Sequence, residues 1–270
     1  MLTRTVLLEI MARYGLEPHR TLGQNFVVDQ NTIRKIVRLA GVGDGDRVIE
    51  IGPGLGSLTL GLLEVGADVT AVEIDSRLIE PLTEVTAGRA TVVQADAMEI
   101  DWAALVGDQT WTVVANLPYN VATPVVMRLL DEVPQVTSML VMVQREVGER
   151  LAAGPGTKAY GIPSVKVGFW ATARLVGMVG PEVFHPQPRV TSALVQITRR
   201  DHPVAAVDPD LLFDLVRAGF GQRRKTLRRA LVGRIEESDF DEAGIEGRQR
   251  AEELDVEQWC RLVGAVTARR

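Results

Sequence analysis

Cysteine is almost missing from this 270-residue chain: Cys260 stands alone, which excludes an internal disulfide framework and a thiolate cage around a metal. Histidine is scarce and scattered, at His19, His185 and His202, so no zinc or other metal site is expected. No apolar run approaches the eighteen or so residues that a membrane-spanning helix needs. The opening stretch MLTRTVLLEIMARYG carries acid and base within its apolar residues and has no small-residue cleavage site, so we read it as mature sequence. A reducing, cytoplasmic setting is the expectation that follows. What is present is ordinary for a globular chain: 46% apolar and 24% charged residues exclude wholesale disorder and collagen-like repetition. The length suits one large domain, alone or with a small appendage.

A surplus of either charge is also lacking overall, since the net charge is −5. The distribution is far less even. Residues 217–234 hold seven bases (Arg217, Arg223, Arg224, Lys225, Arg228, Arg229 and Arg234) and no acid, whereas residues 235–258 hold ten acids and two bases. A basic cluster without interspersed acids is an electrostatic footprint suited to phosphates. The plainer alternative is a solvated helix face.

Short β-branched runs at 48–51, 69–74, 91–95, 113–116 and 139–144 alternate with helical stretches such as 58–64, 76–86 and 124–131. That alternation predicts a parallel sheet with helices on both faces. Two later β-type runs, 165–176 and 193–198, are expected to close it with antiparallel edges. RRDHPVAAVDPD (199–210) reads as a linker, and 211–270 as short helices broken at Gly219, Gly233 and Gly244. The expected domains are 1–202, whose first thirty residues serve cofactor and substrate, and 203–270.

VIEIGPGLGSLTLGLL reads as strand, glycine turn and helix. Gly52, Gly54 and Gly56 form GxGxG, not the GxGxxG of dinucleotide sites, and no Walker lysine follows. Glycine allows positive φ and a close backbone approach to a ligand. Glu73 ends the next strand, where a carboxylate can accept hydrogen bonds from both ribose hydroxyls. Asp96 follows the third strand, placed to read an adenine edge. Many glycine turns are only tight connections; with two acids at successive strand ends this one points to an adenosyl ligand, and S-adenosylmethionine fits better than NAD or ATP.

Asn116-Leu117-Pro118-Tyr119 follows the fourth strand, on the same sheet edge as the glycine turn. An exocyclic amine such as adenine N6 is a poor nucleophile, because its lone pair is delocalised into the ring. The Asn116 amide oxygen and the Leu117 carbonyl can accept its protons and aim the nitrogen at a methyl donor. Pro118 stiffens the turn, and Tyr119 offers a face for a base. Positioning supplies most of the gain, so no strong base is required. The plainer alternative is a loop with an asparagine turn and a packed tyrosine.

These segments carry a wider likeness. LGQNFVVD (22–29), EIGPGLGSLT (50–59), AVEID, QADA, ANLPYN, VQREVGERL, GPGTKAYG, FHPQPRVTSALV and GQRRKTLRRAL occur in one order across nearly the whole chain. Together they resemble the small-subunit ribosomal RNA adenine dimethyltransferase family. The resemblance implies a Rossmann-like methyltransferase domain with a mostly parallel seven-stranded sheet, plus a small all-α C-terminal domain. It implies an S-adenosylmethionine-dependent enzyme that leaves S-adenosylhomocysteine, with Asn25, Val27, Gly52, Gly54, Glu73, Asp96 and Asn116 at the cofactor. Leucine usually stands where this chain has Val27, which a backbone contact tolerates. Asn116, Leu117, Pro118 and Tyr119 would form the catalytic turn, with Phe184 as a second aromatic against the adenine. Phe184 could instead be an ordinary core residue, and Gln24 and Asn25 could be polar residues at a helix start. His185 reads as a locally bonded imidazole, and Cys260 as buried packing.

The implied partner is small-subunit ribosomal RNA in an immature 30S subunit, with two adjacent adenosines of the 3′-terminal hairpin loop as targets. Arg223, Arg224, Lys225, Arg228 and Arg229, with Lys158 and Arg189, would seat the chain on phosphates. Ile162-Pro163 replaces the family's usual Arg-Leu and removes one charge there. A monomer with no membrane partner is expected. Rival readings are a large-subunit adenine methylase of the macrolide-resistance type, a non-catalytic ribosome-assembly factor and a generic DNA adenine methylase.

Overall fold

The computed structural model describes residues 1–19 and 22–269. The chain runs α1 (Arg4–Arg13), β1 (Phe26–Val27), α2 (Gln30–Ala40), β2 (Arg47–Ile51), α3 (Ser57–Glu64), β3 (Asp68–Glu73), α4 (Ser76–Thr86), β4 (Thr91–Gln94), α5 (Trp102–Val106), β5 (Trp111–Asn116), α6 (Ala122–Glu132) and β6 (Val136–Gln144). It continues through α7 (Arg145–Leu151), α8 (Ile162–Trp170), β7 (Ala171–Val179), β8 (Phe184–His185), β9 (Ser192–Arg199), α9 (Pro209–Gly221), α10 (Leu227–Ala230), α11 (Glu237–Ala243) and α12 (Val256–Arg269).

Aspartates start many of the helices. Asp29, Asp75, Asp101 and Asp208 each accept a backbone N–H of the first turn of α2, α4, α5 and α9. These bonds satisfy donors that a helix leaves orphaned at its N-terminus. The strands are apolar on both faces: β6 is buried from Met139 through Val143, and β2 from Val48 through Ile51. Such continuous burial is what a sheet covered on both faces requires.

Seven strands form one sheet in the order β4-β3-β2-β5-β6-β9-β7. Strands β2 to β6 are mutually parallel, and β9 runs antiparallel to β6, with Val141 opposite Val195. The chain leaves β2 toward β3 on one side and returns to β5 on the other. That reversal opens a crevice at the carboxyl ends of β2 and β5, the usual ligand position in such sheets. A separate antiparallel pair joins β1 to β8, with Val27 opposite Phe184.

The chain divides into two compact units, 1–148 with 174–199, and 149–173 with 200–270. The expected division placed 149–173 with the larger domain; these residues instead belong to the second unit. Within it, Tyr160, Val165 and Phe169 are buried with Leu212, Leu227 and Trp259. Residues 165–170, expected as the start of a strand, lie in α8. Gly161 and Pro163 open that helix, and Val165 and Phe169, four apart, are buried by it in the helical core. Gly219 does not break a helix either. It lies inside α9, where a Cβ would come 2.8 Å from the Trp259 ring, so its small size serves packing.

Candidate active site

The glycine turn leaves β2 at Ile51 with left-handed backbone at Gly52 (φ +71°), Gly54 (φ +59°) and Gly56 (φ +86°). At Gly54 a side chain is excluded twice over. The φ disfavours it, and a Cβ would come 2.7 Å from the Phe26 ring. At Gly52 space is ordinary: a Cβ there would meet Pro118 Cδ at 3.5 Å and the Asn116 carbonyl at 3.8 Å. The glycine turn and the NLPY turn therefore touch, as neighbouring strands β2 and β5 bring their carboxyl ends together.

Glu73 ends β3 at 4% exposure. Its Oε2 accepts from Gly54 N at 3.1 Å and its Oε1 from Asp75 N at 2.9 Å. Burial pushes its carboxyl above the ordinary range, and the backbone N–H donors pull it back part of the way. No base pairs with it among the described residues, so its remaining lone pairs suit neutral donors such as hydroxyls. Asp96, half-buried after β4, accepts from Met98 N at 2.8 Å.

Asn116 closes β5. Its Nδ2 donates to the Asn25 carbonyl at 3.0 Å, and its Oδ1 accepts no hydrogen bond among the described residues. The amide is thus oriented by one half while the other, an acceptor, is left for a ligand. Leu117 N donates to Met142 O at 3.1 Å, and the Leu117 side chain is buried. Pro118 O accepts from both Val121 and Ala122, which starts α6 directly after the turn. Tyr119 is half-buried, and its hydroxyl lies 2.8 Å from Ser192 Oγ at the start of β9. Burial raises that phenol further from ionisation.

One cleft of about 1170 Å³, partly open to solvent, is lined by Asn25, Val27, Gly52, Gly54, Glu73, Asp96, Asn116, Leu117, Pro118 and Tyr119. Phe184 is not in it. Expected as a second aromatic against the adenine, Phe184 is 3% exposed and buried with Val27, Ile33 and Leu140, because β8 pairs with β1 and shares its apolar side. Asn25 and Gln24 are not helix-start residues, since Asp29 caps α2. Desolvation, with the charge of Arg4, lowers the pKa of His185. Cys260 is buried, and burial pushes its thiol up to about 11.

The basic run is less free than its sequence implies. Arg217 lies 4.0 Å from Asp214, Arg223 pairs with Glu252 at 2.5 Å, Arg228 pairs with Glu237, and Arg234 pairs with Asp214. Its acids come from outside the run, which a local charge count misses. Arg224, Lys225 and Arg229 are exposed and make no ion pair among the described residues. Lys158 is exposed and its carbonyl accepts from Arg223. Arg189 is exposed in the other unit.

Four residues of this site were not singled out by sequence. Glu50 is 1% exposed on the cleft wall. Asp75 joins Glu73 to Gln24, whose Nε2 donates to Asp75 Oδ2 at 2.9 Å. Ser192 anchors Tyr119. Arg128 on α6 donates to the carbonyls of Ala97 and Ile100 and so braces the loop carrying Asp96. Glu50, Asp75 and Ser192 lie inside the segments EIGPG, AVEID and RVTSALV, a signal that could have drawn attention to them; Arg128 had none.

Comparison with known proteins adds a lineage. The family described as ribosomal RNA adenine dimethylase matches residues 15–267. A protein of Nocardia farcinica named ribosomal RNA small subunit methyltransferase A is 49% identical over 265 residues, covering 93% of this chain and 90% of that one. Its namesake in Streptomyces coelicolor is 46% identical over 267 residues, covering 94% and 93%. Among solved structures, a dimethyladenosine transferase from Plasmodium falciparum shares the fold at a TM-score of 0.79 and 22% identity, covering 90% of this chain and 98% of that one. The 23S rRNA methyltransferase ErmE matches at a TM-score of 0.69 and 26% identity, covering 90% and 99%.

Proposed function

The chain belongs to the ribosomal RNA adenine dimethylase family, and on that premise we propose that its cleft binds S-adenosylmethionine beside a flipped adenine of small-subunit ribosomal RNA. The enzyme dimethylates adenine N6 in that RNA. Its curated relatives carry the small-subunit name at far higher identity than the large-subunit enzyme does, which favours this substrate over the macrolide-resistance type. In our reading the targets are two adjacent adenosines of the 3′-terminal hairpin loop, met on an immature 30S particle in the cytoplasm by a monomer.

The residues present fit the cofactor. Glu73, buried and free of any cation among the described residues, is suited to accept from two ribose hydroxyls. Asp96 would take the adenine edge, the turn at Gly52 and Gly54 would admit the amino-acid portion, and Asn25 and Val27 would contribute from the segment before α2. When bound, S-adenosylmethionine supplies a methyl group on an electrophilic sulfonium and leaves as S-adenosylhomocysteine.

The chain's own part is placement. The observation that carries it is the Asn116 amide: its Nδ2 is held by the Asn25 carbonyl, and its Oδ1 accepts no hydrogen bond among the described residues, on a residue that lines the cleft with Gly52 and Gly54. That oxygen and the Leu117 carbonyl would accept hydrogen bonds from the N6 amino group, draw lone-pair density back onto nitrogen and aim it at the donor. The Tyr119 ring, its hydroxyl tied to Ser192, would be the face on which the base stacks. With Phe184 in the core, our reading gives the stacking role to Tyr119 alone. Arg224, Lys225 and Arg229, with Lys158, Arg189, Arg223 and Arg228, would hold the RNA by its phosphates.

Tritiated-methyl transfer to purified small subunits that lack the mark, followed by digestion and nucleoside identification, tests this reading. Asn116→Ala is expected to lower transfer by about a hundredfold or more, as loss of an oriented acceptor does, with particle binding intact. Equal loss of binding and transfer, or label outside N6 of adenine, would overturn it.

A further inference from the structure

The segment before α2 is tied to the rest of the fold at three points. Val27 pairs with Phe184 through the β1–β8 ladder. The Asn25 carbonyl accepts from Asn116 Nδ2 at 3.0 Å. Gln24, the residue before it, is held on both ends of its amide: Nε2 donates to Asp75 Oδ2 at 2.9 Å, and Oε1 accepts from His19 N at 2.7 Å.

Asp75 is itself fixed. It is 6% exposed, caps α4, and is gripped by Arg77, whose Nε lies 2.9 Å from Oδ1 and Nη2 2.6 Å from Oδ2. Its backbone N–H donates to Glu73 Oε1 at 2.9 Å. Hydrogen bonds therefore run from Glu73 through Asp75 to the Gln24 side chain, and one residue of backbone carries the chain on from Gln24 to the Asn25 carbonyl that orients Asn116. That carbonyl decides which way the Asn116 amide is turned. With it in place, the amide presents oxygen to the ligand; no other hydrogen bond among the described residues distinguishes its two ends.

We propose that Gln24 is a positioning residue for methyl transfer: its bond to Asp75 sets the Asn25 carbonyl, which holds the Asn116 oxygen toward the substrate amine. The assignment rests on the function proposed above. It has a consequence for cofactor and catalysis together. Glu73, at the ribose, and Asn116, at the reacting nitrogen, share one scaffold, so disturbing the Gln24–Asp75 bond lowers the transfer rate and not only cofactor affinity.

A charge swap tests it. Gln24→Glu removes the donor and sets carboxylate against carboxylate. Asp75→Asn, combined with it, returns a donor to the pair in reversed polarity and keeps an N-cap for α4. Single-turnover methyl transfer on unmarked small subunits and calorimetric binding of S-adenosylhomocysteine are measured for the four proteins. Gln24→Glu is expected to slow transfer by about tenfold or more, since a misplaced reacting group costs at least that. The double variant should recover to within about threefold of the parent, and Asp75→Asn alone should fall between them. A double variant no faster than Gln24→Glu, or Gln24→Glu at the parent's rate, would overturn the proposal. Gln24→Met, which keeps the shape and loses the donor, replaces Gln24→Glu if the latter does not fold, with the same slowing expected. A parent protein that transfers no methyl to adenine would instead sink the underlying reading.

Discussion

Glu50 and Glu73 lie near the carboxyl ends of neighbouring strands, and both are buried, yet sequence marked only one. The position of Glu73 at a strand end after a glycine turn is a local pattern, so it was visible. The burial of Glu50 is a tertiary fact. Its Oε2 accepts from Thr59 Oγ1 at 2.6 Å, and burial, with a smaller contribution from Glu73, raises its carboxyl to about 8. The sign of the consequence follows from linkage. In the unfolded chain this group ionises near its ordinary value of 4.5, while in the folded protein it stays protonated until about 8. Stability it confers is complete below the lower value and is lost as pH rises through the higher one. The loss is of order a few kcal/mol. Glu50→Gln removes the titration and keeps an acceptor for Thr59. Its melting temperature should therefore gain on the parent's as pH rises from 5 to 8; parallel melting curves across that range would show that Glu50 does not titrate so. Phe184 makes the opposite point. Sequence placed it opposite Tyr119, and it lies in the core because its strand partner Val27 shares that side of the ladder.

Helix α6 links the NLPY turn to β6, and one arginine secures its far end. The Arg199 guanidinium donates to the carbonyls of Leu130 and Leu129 at 3.0 and 2.9 Å, and to those of Val133 and Val136 at 3.1 and 2.8 Å. Leu129 and Val133 also accept from the backbone N–H groups of Val133 and Val136, so the guanidinium adds a second donor there and serves Leu130 in the last turn of α6 and Val136 at the start of β6. Arg199→Met should cost about 2–4 kcal/mol, as several buried acceptors lose a charged donor. That corresponds to a fall of roughly 5–15 °C in melting temperature for a chain of this size. A shift under two degrees in differential scanning calorimetry would contradict it. The regular elements were legible where β-branched runs alternated with amphipathic ones: β2, β3, β4, β5 and β6 each fall on the expected run. Residues 165–170 were not, because valines two apart read equally as strand or helix. The choice is made by the proline at the helix start and by the apolar core that receives Val165 and Phe169.

Across the whole molecule, net charge is a poor guide to what the chain touches. The sum is −5, and within the run at 217–234 four of the seven bases find acids elsewhere. Exposed pairs of this kind are worth little, about 0–1 kcal/mol, and a phosphate competes for them easily. The unpaired Arg224, Lys225 and Arg229 should carry the larger share of RNA attraction. Replacing all three by alanine is expected to flatten the slope of log affinity against log salt by about 2–3, with each lost phosphate contact removing 0.7–0.9. Replacing Arg217, Arg228 and Arg234 should change it less. Filter binding to unmarked small subunits over a salt series would check both, and an unchanged slope in the first variant would make the cluster a solvated face. The sequence by itself determined the alternation of strands and helices from β2 to β6, the glycine turn, the strand-end acids and the NLPY turn. These depend on residues near one another along the chain, through φ preferences, periodicity and short spacing. Tertiary structure alone decided that Gln24 and Asp75 meet, that Asn25 turns the Asn116 amide, that Phe184 is buried and that half the basic run is neutralised. Each of those joins residues far apart in sequence, where no local propensity acts and only the folded geometry chooses the partner.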